Sequence, residues 1–403
     1  MSLNTTPASE RIHIGFFGMR NAGKSSLVNA VTNQELSVVS PVAGTTTDPV
    51  KKAMELLPLG PVVIIDTPGI DDEGSLGELR IKKTRQVLSE IHLAVLVTDA
   101  VRGLSKADEE LTELFKEKKI PYVIAYNKTD LLEEQEISLL PEGLSVSART
   151  GENVDALKER LAMLGSGVKS EKKLVADLLE PGDLVVLVVP IDESAPKGRL
   201  ILPQQQTIRD VLEAGAVCVV VKDTGLEDAL SKMNQKPKLV ITDSQVFGKV
   251  SKAVPENVML TSFSILFARY KGNLKLAVQG AAVLDTLSDG DKILISEGCT
   301  HHRQCGDIGS VKIPAWIRKH TQKNIELSFT SGGEFPEDLS EYRLVIHCGG
   351  CTLTEKAMQE RLHQCKTSGV PVTNYGIAIA HMHGILRRSL EPFPEILREL
   401  DGE

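Results

Sequence analysis

Five runs in the first 150 residues share one pattern, a mostly apolar stretch closed by polar or turn-forming residues. They are "RIHIGFFG" (11–18), "VVIIDTPG" (62–69), "HLAVLVTDA" (92–100), "PYVIAYNK" (121–128) and "GLSVSA" (143–148). A strand that is apolar at nearly every position, not every second one, is covered on both faces, as in a parallel sheet. Segments of helical period such as "KSSLVNAVTN" and "ALKERLAML" alternate with these runs. Residues 11–166 therefore read as a doubly wound α/β domain behind a polar arm, 1–10.

The rhythm breaks at "GSGVKSEKK", whose glycine, serine and lysine suit a linker. A second α/β block follows over 174–272. Its expected strands are "DLVVLVVPI", "RLILP", "AVCVVV" and "KLVITD", and its expected helices "QQQTIRDVLEAG" and "GLEDALSKMN". A third block, 273–403, places strands at "KILISEG", "IELSFTSG", "YRLVIH" and "PVTN", with helices at "NLKLAVQGAAVLDTL", "IPAWIRKHTQ", "TEKAMQERLHQCKTSG" and "YGIAIAHMHGILRRSL". This again reads as an open parallel sheet with crossover helices. The fold expected is α/β throughout, in three domains.

Composition narrows the function. A net charge of −8 over 403 residues gives no electrostatic footprint for nucleic acid, and no nucleic-acid partner is expected. The longest apolar runs are strand-sized, so no membrane association is expected. "MSLNTTPASER" lacks the apolar core of a secretory signal, which makes the cytoplasm the expected compartment.

"GMRNAGKS" (18–25) matches the phosphate-binding loop G-x-x-x-x-G-K-[ST] between a strand and a helix. Gly18 and Gly23 let backbone N–H groups face phosphates, with Asn21, Ala22 and Ser26 lining the same loop. Lys24 neutralises the β/γ oxygens, and Ser25 offers a hydroxyl to Mg²⁺. "DTPG" places Asp66 to hold Mg²⁺ through water and the Gly69 N–H to sense the γ-phosphate. In "NKTD", Asp130 accepts the two N–H groups that guanine has and adenine lacks; Asn127 braces the loop and Lys128 lays its stem on the ring. "SVSAR" contributes Ser147 and the Ala148 N–H toward the base oxygen. GTP and Mg²⁺ are the ligands this order of motifs requires.

Over roughly the first 165 residues these motifs resemble the translation-factor-related small GTPases, and "RNAGKSSLVN" and "GTTTDPV" resemble the Era/TrmE-type branch. That resemblance implies that Thr46, or alternatively Thr45, is the switch threonine that reaches Mg²⁺, and that Asn21 coordinates a K⁺ ion. Ile70 follows "DTPG" where a water-orienting glutamine is usual, so slow, K⁺-stimulated hydrolysis is expected. Asp71, Asp72 and Glu73 read as solvated switch residues.

Six cysteines in a reducing compartment do not form a disulfide framework. Cys218 and Cys365 read as small buried residues. The others cluster: C-x-H at 299–301 with Cys305 nearby, then H-C-x-x-C at 347–351. If "KILIS" and "YRLVI" are parallel strands of one sheet, both clusters open at its carboxyl edge, where such folds bind ligands. Cys299, Cys348 and Cys351 suit three corners of a 4Fe–4S cluster. His301, His347, Cys305, Asp307 or water remain open for the fourth. Zinc on the same residues is an alternative, and a bare dithiol another. His13, His92, His320, His363, His381 and His383 read as surface or core residues, with His381 and His383 alternatively supporting the metal's ligands.

A small GTPase domain followed by C-x-H…H-C-x-x-C resembles the HydF family, the GTPases of FeFe-hydrogenase maturation. "PGDLVVLVVPIDESAPKGRLILPQQQTIRDVLE" and "LTSFSILFARYKG" extend the likeness to the middle of the chain. It implies a GTPase domain (11–166), a dimerisation domain (174–272) and a cluster-binding domain (273–403). It also implies a homodimer, with a 4Fe–4S cluster on Cys299, Cys348 and Cys351. The implied role is that of a scaffold or carrier for the di-iron precursor of the hydrogenase active site. The implied partners are two radical-SAM maturation proteins and apo FeFe hydrogenase.

Overall fold

The computed structural model describes residues 6–34, 49–69, 75–168, 172–191, 200–299 and 307–400, with the backbone alone over 75–82. The chain forms two compact units, residues 1–171 and 172–403.

In the first unit six strands, β1 (Ile12–Phe17), β2 (Val50–Leu56), β3 (Gly60–Asp66), β4 (Leu93–Asp99), β5 (Tyr122–Asn127) and β6 (Leu144–Ser145), form one sheet in the order β2-β3-β1-β4-β5-β6. All neighbours run parallel except β2 and β3. Strand β1 is buried along its whole length because both faces are covered. Ile12, Ile14 and Phe16 join one core with Leu27 and Leu161, while Phe17 joins another with Leu88 and Phe115. Each such aromatic side chain contributes ~1.5–3 kcal/mol by leaving water. The period of two along β1 therefore sorts side chains between two hydrophobic layers rather than between core and solvent.

Strand β2 escapes sequence patterning for the opposite reason. It is the sheet's edge, its "VKKAMEL" is exposed over the first four residues, and Lys51 and Lys52 interrupt any apolar run. Charged edges of this kind discourage pairing with other chains.

The second unit holds two four-stranded sheets, each parallel throughout. The first comprises β7 (Leu184–Val188), β8 (Val217–Val221), β9 (Leu239–Thr242) and β10 (Met259–Ser262), in the order β10-β9-β7-β8. The second comprises β11 (Lys292–Ser296), β12 (Glu326–Thr330), β13 (Leu344–His347) and β14 (Val372–Asn374), in the order β12-β11-β13-β14. The expected strand "RLILP" is corrected where it is described: Leu202 and Pro203 open the helix Leu202–Glu213. Proline at the first turn needs no N–H donor, and the Ile201 N–H donates to Gln204 Oε1. Strand β10, at an edge, is only four residues long and half polar, which leaves no strand signal in the sequence.

One hydrophobic core packs the first of these sheets against helices from both halves of the unit, running from Leu174 through Val186, Ile241 and Phe267 to Ile377 and Phe393. The strands of the second sheet build clusters of their own, such as Ile293 with Ile346 and Leu294 with Val345. The helix Leu274–Ala281 lies so close to β14 that a Cβ on Gly280 would stand 2.1 Å from the Val372 carbonyl oxygen. Arg388 adds a clamp, donating to the carbonyl oxygens of Ser251, Val254 and Pro255.

Candidate functional site

The nucleotide motifs all leave the carboxyl edge of the first sheet, because β1, β3 and β5 are parallel within it. The phosphate loop is fixed by backbone that only certain residues adopt. Gly18 and Gly23 have φ of 135° and 89°, and Asn21 has φ 63°. A Cβ on Gly18 would lie 2.0 Å from the Val97 carbonyl oxygen, and one on Gly23 would lie 2.2 Å from Asn127 Nδ2. Ala22 is buried and Asn21 exposed beside it. Lys24 opens the helix Lys24–Thr32 and donates to the carbonyl oxygens of Gly18 (2.9 Å) and Met19 (2.8 Å). Ser26 lies in the same first turn.

Ser25 Oγ donates to Asp66 Oδ2 at 2.7 Å, so the two expected Mg²⁺ groups already meet. Asp66 Oδ1 is buried with no hydrogen-bond partner among the described residues. A buried acceptor of this kind is costly unless something binds it, which fits an Mg²⁺-bound water. Gly69 stands against the loop, where a Cβ would lie 2.8 Å from Arg20 Cα. Thr46, Thr45, Ile70, Asp71, Asp72 and Glu73 lie outside the described residues.

Asn127 ties the base-side loops together. Its Nδ2 donates to the Ala22 carbonyl at 3.0 Å and its Oδ1 accepts the Ala148 N–H at 3.0 Å. The N–H expected to reach the base oxygen is thus shared with Asn127. Ser147 Oγ donates to Asp130 Oδ1 at 2.7 Å and aims that carboxylate. Lys128, at φ 70°, pairs with Asp99 at 2.6 Å.

In the second unit the cysteine loops converge. Strands β11 and β13 are hydrogen-bonded neighbours with Ser296 opposite His347, and the Cys348 N–H donates to the Ser296 carbonyl. Cys299 and the Cys348–Cys351 loop therefore emerge side by side at the carboxyl edge. The "HCGGC" spacing has a local reason. Gly350 takes φ 65°, turning its N–H back onto Cys348 Sγ at 3.4 Å, while the Gly298 N–H reaches the same sulfur at 3.0 Å. A Cβ on Gly350 would lie 2.2 Å from Met358 Cε.

Burial raises the Cys348 pKa, against the pull of those two amides. Burial, followed by the charges of Cys348 and Cys299, pushes the Cys351 thiol up to about 12. A reactive dithiol needs the reverse, a stabilised thiolate. Thiols that ionise only against such resistance suit a metal centre, which takes the proton's place.

Two buried cations border these loops, and neither drew attention in the sequence. Lys271, 1% exposed, donates to the carbonyl oxygens of Cys351 (3.3 Å) and Leu353 (2.8 Å). Arg361, from the helix Glu355–Thr367, donates to Ser296 Oγ, to the Gly332 carbonyl and to His347 Nε2, the last at 2.8 Å. Buried cations are expensive unless negative charge compensates them, and thiolates on a bound metal would add such charge beside the buried Glu297. The donor set and its surroundings thus fit an anionic iron–sulfur group.

His347 is fully engaged. Its Nδ1–H donates to the Cys348 carbonyl at 2.8 Å, which leaves Nε2 to accept from Arg361. Burial and the Arg361 charge push its pKa down to about 3, so the ring is neutral at any ordinary pH. In this arrangement His347 has no nitrogen to offer a metal; it orients Cys348 instead. Asp307 Oδ2 accepts from the Ser310 N–H and hydroxyl. His301 and Cys305 lie outside the described residues. Cys365 is buried in the core, and Cys218 is half-buried on β8.

Comparison with known proteins follows this division. A hydrogen maturase F dimerization domain matches residues 174–272 and a hydrogen maturase F tetramerization domain matches residues 275–392, together more than half of the chain. The chain belongs to the HydF family. Its N-terminal unit carries a GTPase domain, with a 50S ribosome-binding GTPase family matching residues 13–128. Two curated relatives match stretches of about this unit's length. The tRNA modification GTPase MnmE of Streptococcus sanguinis is 32% identical over 157 residues, 38% of this chain and 34% of that protein. GTPase Der of Maridesulfovibrio salexigens is 36% identical over 148 residues, 36% of this chain and 32% of that protein. The HydF-family chain thus spans about a third of the length of these relatives. Aquifex aeolicus Era bound to GDP.AlF4- aligns over 52% of this chain and 92% of that one, at 21% identity and a TM-score of 0.35. Among the described residues no helix is long and apolar enough to cross a membrane.

Proposed function

We propose that the chain is a GTP-hydrolysing scaffold of FeFe-hydrogenase maturation. It holds a 4Fe–4S cluster on Cys299, Cys348 and Cys351 and assembles or delivers the di-iron precursor of the hydrogenase active site. The observation that carries this reading is the arrival of all three cysteines at one sheet edge, under two buried cations, in a HydF-family chain. When bound, the cluster would supply an iron with an exchangeable corner to which the precursor attaches. With His347 engaged by Arg361, His301 or water is the better candidate for that corner. The protein's residues do the rest: Gly298 and Gly350 donate to Cys348, Lys271 and Arg361 balance charge, and His347 fixes the loop. Anaerobic reconstitution and then reduction of each Cys→Ser variant tests the assignment, since each should lose the reduced cluster's electron-paramagnetic signal. A variant retaining the full signal removes that cysteine from the set.

GTP and Mg²⁺ belong to the first unit. Lys24 leaves the loop carbonyls for the phosphates, and Ser25 and Asp66 hold Mg²⁺ between them. Thr46 completes that shell, and Asp130 selects guanine. The carboxylate receives two N–H groups, each worth ~1.5–3 kcal/mol when the acceptor is charged. Asp130→Asn is therefore expected to weaken GTP binding by ~10²-fold or more and to favour xanthosine triphosphate; unchanged GTP affinity would exclude Asp130 from the base site. Asn21, exposed on a left-handed turn beside the phosphates, is assigned to K⁺. Hydrolysis should be faster in K⁺ than in Na⁺, and Asn21→Ala should abolish the difference. Equal rates in both salts for the unsubstituted protein contradict this.

Association into a homodimer is supported by β8. Among the described residues it is a sheet edge, with Val217 and Val220 50% and 43% exposed. Unprotected apolar edges pair with other strands. Radical-SAM maturation proteins and the apo-hydrogenase are the partners proposed on either side of the scaffold's task, which we place in the cytoplasm.

A further inference from the structure

We propose that Asp285, His320 and His381 bind one divalent transition-metal ion, at a site separate from the cysteine loops. His320 Nε2 lies 2.7 Å from Asp285 Oδ1, and His381 Nε2 lies 2.9 Å from Asp285 Oδ2. Among the described residues this is the one trio of histidine, cysteine or carboxylate groups whose ligand atoms all fall within 4.8 Å of one another. The groups come from three segments, with His320 and His381 lying 35 and 96 residues beyond Asp285.

Three features would let a metal ion replace this hydrogen-bonded clasp. The two rings stand 5.7 Å apart at 62°, each presenting Nε2 to a different oxygen of one carboxylate. His320 and His381 sit in the last turns of the helices Ile313–Thr321 and Tyr375–Met382. Two helix carboxyl ends, each bearing partial negative charge, thus face the trio and favour a cation. The side chains also keep access to water, with 53%, 25% and 19% exposure for Asp285, His320 and His381. His383, two residues further on, turns away to Trp316.

Position separates this site from the first. Asp285 precedes β11, and the helix holding His320 runs back to the start of β12. The trio therefore lies toward the amino edge of the sheet, whereas the cysteine loops leave its carboxyl edge. Two imidazoles and one carboxylate suit Zn²⁺, Ni²⁺, Co²⁺ or Fe²⁺; magnesium and calcium prefer all-oxygen shells. On binding, each imidazole carries its proton on Nδ1 and gives Nε2 to the ion, and water completes the coordination.

Cobalt titration of the full-length protein tests the proposal, because thiolate ligands produce intense charge-transfer bands that imidazole and carboxylate ligands do not. One equivalent should bind with a thiolate-free spectrum. His320→Gln, His381→Gln and Asp285→Asn should each weaken that equivalent by ~10–100-fold, while circular dichroism and GTP hydrolysis stay unchanged. Added Zn²⁺ should displace the cobalt. Absence of a thiolate-free equivalent, or its survival in folded His320→Gln and Asp285→Asn proteins, overturns the site.

Discussion

Cys348→Ser is expected to leave less than about a tenth of the iron of the unsubstituted protein after anaerobic reconstitution, since hydroxyl oxygen replaces thiolate on iron. Cys348 lies at the centre of its site. Its sulfur receives two backbone N–H groups, its own N–H joins β13 to β11, and its carbonyl holds His347. Serine preserves the backbone contacts, so the unit should still fold. GTP hydrolysis, carried out by the other unit, should stay within about twofold, far less than loss of a catalytic group would cost. Iron and sulfide are assayed chemically and hydrolysis by phosphate release. Full iron loading in Cys348→Ser would remove this cysteine from the ligand set.

The complementary result is expected for Lys24→Ala. Loss of a preorganised cation beside the transferring phosphoryl group costs ~10²–10³ in rate. In this structure Lys24 donates to the loop carbonyls of Gly18 and Met19, and its removal should spare the fold. Steady-state hydrolysis should fall accordingly while cluster content stays at the unsubstituted level. If Lys24→Ala also lost its iron while remaining folded, the two sites would be one functional unit rather than two linked by a switch.

How much of this was legible from residue order depended on burial. The central strands announced themselves because both faces are covered, and "HLAVLVTDA" became β4 with nearly every residue buried. Edge strands did not: β2 carries two lysines, and β10 is only "MLTS". "RLILP" looks like a strand because its apolar run leads straight into a helix that Leu202 and Pro203 open. The meeting of Cys299 with Cys348 followed from parallel topology alone. Lys271 and Arg361 were invisible for a physical reason. A lysine or arginine in a helical or turn segment normally faces water, and only the folded chain shows these two buried against the cysteine loops. The Asp285 trio was hidden similarly, since three groups spread over about 100 residues make no motif until three helical segments bring them together.

The central claim is that the three cysteines share one iron–sulfur centre. Metal and sulfide analysis of anaerobically purified protein, combined with Mössbauer spectroscopy, tests it most directly. The account predicts about four irons and four sulfides per chain, with the spectrum of a single cubane cluster. Colourless protein holding zinc on Cys299, Cys348 and Cys351, with no acid-labile sulfide even after reconstitution, would contradict it.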